Sequence, residues 1–201
     1  MKKAELIIGE RSDADGSGTF IDERDGQTYR TVKMPDGKVW MAQNLNYKPE
    51  SGGSFCYDED ESMGEKYGRL YNWKTANKVS PKGWHLPSRE EWEELITVTD
   101  NAEDPWRLGL ELKSKDGWNW DNDNDVSCNG TDDYGFSALP GGCWNSVVFI
   151  DAGYGGNWWT AEYGFFRRMY YNYGFVENLI RSCDGNVDDI VGFSVRCVKD
   201  D

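Results

Sequence analysis

The residues best suited to do chemistry in this chain are the aromatics and arginines of one C-terminal run. In FFRRMYYNY (165–173), an extended backbone places Phe166, Arg168, Tyr170 and Asn172 on one face. Arg167, Met169, Tyr171 and Tyr173 fall on the other. One face then packs inward and the other meets solvent. A solvent face of Phe, Arg, Tyr and Asn suits recognition: Tyr and Arg give large contacts, and Asn adapts the hydrogen bonding. The plainer alternative is that all these aromatics are core. Tyr154, Phe166, Tyr170 and Tyr173 are the expected anchors, with Arg168, Asn172, Asn178 and Arg181 fixing orientation. The wider candidate surface adds Trp144, Asn145, Val147, Phe149, Asn157, Tyr163, Phe175, Asp184, Asn186 and Asp188. Trp158 and Trp159 are expected to be scaffold.

Other candidates are weaker. DNDND (121–125) alternates carboxylates as a calcium loop does, at Asp121, Asp123 and Asp125. It lacks the glycine at the sixth place and the closing glutamate of an EF-hand, so a solvated acidic loop is the expectation and no metal or cofactor is assigned. His85, the single histidine, reads as a buried structural imidazole. Glu90, Glu91, Glu93 and Glu94 read as the solvated face of a helix. The five cysteines, Cys56, Cys128, Cys143, Cys183 and Cys197, form no CxxC pair, and their odd number leaves one unpaired within a monomer.

The chain has 201 residues, which fits one domain. Ten Trp, eleven Tyr and eight Phe supply a core despite a mean hydropathy of -0.78. The net charge of -14 argues against nucleic acid and against anionic membranes. No run approaches the ~18 apolar residues of a membrane span. The N-terminal AELIIG is too short for a classical signal core, so folding in the cytoplasm is compatible with the sequence.

Residues 1–19 read as a flexible lead-in, followed by one domain over 20–201. Strands over 28–34 and 38–42 flank the turn Pro35-Asp36-Gly37 and form a hairpin. Two helices follow, over 68–78 and 89–98, the second marked by the capping box of Ser88 and Glu91. After residue 106 the chain is loop-like, and from 134 it reads as strands joined by Gly-rich loops. That order is an α+β fold.

The strings WMAQNLNY (40–47), CYDED, YGRLYNW (67–73), GWHLPSREEWEEL (83–95), GTDDYGFSALPGG, WWTAE and GFSVRCVKD resemble the Fibrobacter succinogenes major paralogous domain over about 20–200. That resemblance implies a C-type-lectin-like fold, with terminal strands paired and a long loop region on a small second sheet. The family usually has cysteine where Ser80 stands, and by lectin-fold logic Cys197 would bond it. It also usually has a second cysteine soon after the one in CYD, and ESMGEKYG supplies none.

A second resemblance is to the variable proteins of diversity-generating retroelements, whose adenine-directed mutagenesis rewrites a C-terminal segment of this fold. No lysine occurs between Lys115 and Lys199 and no glutamine after Gln43, while 143–191 is rich in residues reachable from an Asn codon. The implied partner is a protein or glycan ligand, and the implied location a cell surface or virion. The alternatives are a fixed-specificity adhesin or carbohydrate-binding module and, lower, an enzyme of the formylglycine-generating type using Cys183 and Cys197.

Overall fold

The structure, a computed structural model, describes residues 11–12, 17–99, 107–180 and 191–201. The chain opens with β1 (Arg11–Ser12) and β2 (Gly18–Ile21), then β3 (Thr28–Lys33) and β4 (Val39–Met41). β3 is rich in β-branched and aromatic residues (Thr28, Tyr29, Thr31, Val32), which suits a pleated strand, and β4 returns against it across the expected turn. Gly37 takes φ 86° there, which glycine adopts without strain. Asp36 closes the turn by accepting from Lys38 N at 2.8 Å and from Trp40 Nε1 at 2.9 Å. β1 pairs with β2 and β2 with β3, so the described part of the lead-in belongs to the sheet.

The middle of the chain holds β5 (Ser54–Phe55), α1 (Glu61–Tyr67), β6 (Leu70–Tyr71), α2 (Trp73–Ala76) and β7 (Trp84–His85). Then come α3 (Arg89–Thr99), α4 (Leu108–Leu112), β8 (Trp120–Asp121) and β9 (Val126–Ser127). The single helix expected over 68–78 is a strand and a one-turn helix instead. Gly68, at φ 77°, ends α1, and a Cβ there would lie 2.7 Å from that of Asn44. Leu70 and Tyr71 are fully buried and pair with strands on both sides, so sheet formation outweighs local helical preference. The capping-box helix forms as expected: Ser88 Oγ accepts from Glu91 N, and a Glu91 carboxylate oxygen accepts from Ser88 N. Helices α1 and α4 were not anticipated, so the described residues hold four α-helices rather than two.

The C-terminal part is β10 (Gly141–Trp144), β11 (Phe149–Ala152), β12 (Gly155–Trp159), β13 (Phe165–Tyr170), β14 (Glu177–Ile180), β15 (Phe193–Ser194) and β16 (Val198–Lys199). One sheet runs β1-β2-β3-β4-β16-β7, so the C-terminal strand lies beside the N-terminal hairpin. A second runs β11-β10-β12-β15-β6-β5, with β13 and β14 branching from β12. β8 and β9 form a separate hairpin. The fold is mixed α+β with mostly antiparallel pairing. No helix among the described residues is long and apolar enough to cross a membrane.

Two aromatic-rich cores cover opposite faces of β12. Trp159 packs with Phe166 and Phe193 on one side, and Trp158 with Trp40, Trp92 and Phe136 on the other. Both tryptophans are fully buried, as expected of scaffold. Each indole N–H has a partner: Trp158 donates to Asn44 Oδ1 at 2.8 Å and Trp159 to Tyr71 O at 2.6 Å.

Cys56, Cys128, Cys143 and Cys197 form no disulfide with one another; Cys183 lies outside the described residues. Cys197 Sγ lies 3.4 Å from Ser80 Oγ, the position where the resemblance implies its partner cysteine. Ser80→Cys under oxidising conditions is expected to close this long loop and stabilise the fold by about 2–4 kcal/mol. Thiol counting and thermal melting with and without reductant check it.

His85 is half-exposed rather than buried, and both ring nitrogens face carboxylates. Nδ1 is 2.8 Å from Asp200 Oδ1 and Nε2 is 2.9 Å from Glu91 Oε1. Only imidazolium can donate from both nitrogens. Burial works against the charge, but hydrogen bonds and attraction from Glu91 and Asp200 outweigh it and raise the pKa. The added stability is full below the unfolded value of about 6.5 and is lost as pH rises through the higher folded value. Urea melts of the parent and His85→Gln across pH 5–9 should show this pH dependence in the parent and its loss in the variant.

Candidate functional site

Five aromatic rings gather where β13 ends and the chain turns toward β14. Tyr154 meets Tyr171 edge-on at 5.2 Å between ring centroids. Tyr170 lies 5.2 Å from Tyr171 and 5.9 Å from Tyr173, and Tyr173 stacks on Phe175 at 5.2 Å. Tyr154 and Tyr173 are exposed, at 43% and 40%, and the other three are half-buried. Gly155, opposite Tyr170 in the register, leaves room for that ring: a Cβ there would already be 3.3 Å from it.

Lys113, just past the end of α4, holds this turn. Its Nζ is buried and donates to the carbonyls of Tyr170 at 2.6 Å, Tyr171 at 3.0 Å and Tyr173 at 2.8 Å. The ammonium also lies 4.6 Å over the Trp118 ring. Burial lowers its pKa to about 8, which leaves it charged at neutral pH. α4 touches the same segment at Gly109, whose N–H donates to Gly174 O at 2.6 Å and whose Cβ position is 2.8 Å from that carbonyl. The helix that sequence pattern did not reveal is therefore the element that positions the aromatic turn.

Arg168 lies beside this cluster. Its Nε donates to Glu177 Oε2 at 2.5 Å across the β13–β14 pair, and its guanidinium is 5.6 Å from the Tyr170 ring centroid. Asn172 is exposed in the turn itself. Burial first, and then the Asp151 carboxylate, hold the Tyr170 phenol above its ordinary range.

The remaining predicted residues do not all join. Phe166 is a correction: it is 7% exposed and packs on Phe193 and Trp159. The alternation was right, but both faces of β13 are covered at that end, so only the Tyr170 end emerges. Asn157 is likewise buried, its side chain donating to Gly142 O at 3.2 Å.

Trp144, Asn145, Val147 and Phe149 form a separate patch at the β10–β11 hairpin. Trp144 packs on Phe55 and Phe149 on Tyr57, and Asn145 Oδ1 accepts from the Val147 and Val148 N–H groups. Val147 is 83% exposed. Tyr163 stands elsewhere, edge-on to Trp73. Asn178 reaches α3, its amide 3.2 Å from Glu93 Oε1, the carboxylate oxygen that also binds buried Arg167. Arg181, Asp184, Asn186 and Asp188 lie outside the described residues.

One residue belongs to the aromatic face that sequence reasoning did not assign. Tyr171 was placed on the opposite face by strict alternation, but β13 ends at Tyr170 and the turn swings it round. Trp120 is 50% exposed on β8, whose hairpin is tied to the Tyr154 loop by Asn119 N donating to Gly153 O at 2.8 Å.

The DNDND segment is the β8–β9 turn. Asp121 points inward and accepts from Asp123 N, Asn124 N and Asn124 Nδ2. These hydrogen bonds, the Asn124 side chain first, hold its carboxyl below the usual range. Among the described residues no three His, Cys, Asp or Glu side chains converge to hold a metal ion. Burial pushes the Cys197 thiol up to about 12, far from the reactive thiolate a nucleophile needs.

Concavities lie away from the aromatic face. One of about 660 Å³ is lined by Arg24, Tyr47, Asn72, Lys74 and Lys78. Another, of about 870 Å³, lies between Gln43, Lys66, Tyr67 and Lys115. Neither is lined by Tyr154, Tyr170, Tyr171, Tyr173 or Phe175.

Lys113→Met keeps the stem but leaves three carbonyls without their donor. It should destabilise the protein by about 1–3 kcal/mol and loosen the tyrosine turn. Denaturant melts read the first effect, and near-ultraviolet circular dichroism of the tyrosines reads the second.

No curated protein and no solved structure matched the chain. The family model of the Fibrobacter succinogenes major domain matches residues 34–199, which run from the β3–β4 turn to the last strand. The chain belongs to that family.

Proposed function

We propose that this protein is a non-catalytic binding module whose recognition surface is the aromatic turn around Tyr154, Tyr170, Tyr171, Tyr173 and Phe175. The observation that carries this reading is the join between a cluster of tyrosines, two of them exposed, and a buried lysine that fixes their backbone. Tyr rings held in place give large contact area at low entropic cost, as in antibody loops. Exposed aromatics on a rigid support are what hot spots require.

We read the scaffold as C-type-lectin-like, supported by the pairing of β16 with β4 and by a long loop region resting on a second sheet. In this reading the segment over 143–191 is the rewritten portion of a retroelement variable protein, displayed at a cell surface or virion, with a protein or glycan ligand. Its exposed side chains, among them Val147, Tyr154, Asn172 and Tyr173, can change without disturbing the core. Trp158, Trp159, Arg167 and Met169 in the same segment are buried and must stay. A second reading, a fixed-specificity carbohydrate-binding module, is favoured by exposed Trp120, whose ring can stack on a sugar.

Sequencing the gene across a natural population tests the first reading. Substitutions should fall at the exposed positions of 143–191 and spare the buried ones; a uniform segment removes the retroelement reading. Tyr170→Ala is expected to weaken ligand binding by about 1–4 kcal/mol with circular dichroism unchanged. Equal binding by that variant would remove the aromatic face from the site. A thermal shift given by glycans and absent with protein ligands would favour the second reading.

A further inference from the structure

Resting on the aromatic face as the binding surface, we infer that its partner is a basic polypeptide segment, whose lysine or arginine side chains seat over the tyrosine rings. The first support is charge. Residues 116–198 hold twelve carboxylates against four arginines and no lysine. Of those arginines, Arg196 is fully buried and Arg167 is buried against Glu93. Arg168 is neutralised by Glu177 at 2.5 Å, and Arg181 lies outside the described residues. The described cations of this segment are therefore directed inward or neutralised, and its described carboxylates other than Glu177 are left to set the field.

The second support is placement. Asp151 adjoins the site through Tyr154 N donating to Asp151 O at 2.9 Å, and Tyr171 N in turn donates to Tyr154 O at 2.7 Å. The acidic β8–β9 hairpin is tied to the same loop by Asn119 N donating to Gly153 O. Burial first, and then Asp121 and Asp123 among the neighbouring groups, raise the Tyr171 phenol; burial and then Asp151 raise Tyr170. The rings and the carboxylates thus share one local field.

The third support is chemistry. Tyrosine faces carry a negative quadrupole that attracts a guanidinium or ammonium, and nearby carboxylates add to that attraction. Lys113 is a single buried cation beneath the turn, facing its carbonyls, and is outnumbered by Asp121, Asp123 and Asp151 around the rings. Rings set side by side at 5.2–5.9 Å from Tyr154 to Phe175 also fit an extended segment better than one small group.

The test pans a random dodecapeptide display library on the protein and, in parallel, on Tyr170→Ala checked for folding by circular dichroism. The expected result is peptides of net positive charge that need Tyr170 and whose affinity falls several-fold from about 50 to 300 mM salt. Asp151→Asn with Asp123→Asn should weaken a selected peptide by about threefold to tenfold. Asn tolerates the left-handed backbone of residue 151 at φ 67°, so that variant keeps its turn. Neutral or acidic peptides that still need Tyr170 overturn the basic partner and leave the site. Peptides that ignore Tyr170, or no enrichment at all, overturn both. Saccharides that bind in a Tyr170-dependent way while peptides do not overturn the polypeptide partner alone.

Discussion

A buried guanidinium holds the two halves of this chain together. Arg196 is fully buried and faces no carboxylate among its hydrogen-bond partners; it donates to Asn44 Oδ1 through Nε and Nη2, and to the carbonyls of Phe136 and Ser137. Asn44 in turn accepts from Trp158 Nε1 and donates to Tyr67 O. The N-terminal segment, the loop before β10, the central strand β12 and the C-terminal strand therefore meet at one side chain. Such a charge is tolerable in a low-dielectric interior only if its donors are satisfied, and burial still lowers its pKa to about 9. The same need for satisfied partners fixes the register of the parts that supply them.

Lys113 repeats this device beneath the aromatic turn that we propose as the binding face. An ammonium satisfied by backbone carbonyls specifies backbone geometry rather than side-chain identity. Tyr170, Tyr171 and Tyr173 contribute their C=O groups to it while their rings remain available. A surface supported in that way can change its side chains without losing its support, which is the physical property a recognition face needs.

β13 shows how one strand serves both scaffold and surface. At its start Phe166 enters one core, and Met169 and Arg167 face the other side. Arg167 binds Glu93 of α3, so the strand is clamped to a helix whose own capping box fixes its beginning. By Tyr170 the neighbouring strands have thinned to Gly155 and an ion pair, and the rings emerge.

The sequence by itself determined the features set by short-range chemistry. Pro35-Asp36-Gly37 dictates a tight turn between alternating strands, and Ser88 with Glu91 dictates a helix start. The motifs from 34 to 199 identify the family. Periodicity also assigned the faces of β13 correctly. Tertiary structure decided the rest. Leu70 and Tyr71 become a strand because buried neighbours on both sides offer hydrogen bonds no helix could better, and LGLEL becomes helix α4 because Leu108 and Leu112 find a core. Phe166 and Tyr170 share a face in sequence and part company in space, because alternation tells which residues point together but not how far the covering layer extends. Lys113 reaches its carbonyls across more than fifty residues, a distance at which no local pattern carries information.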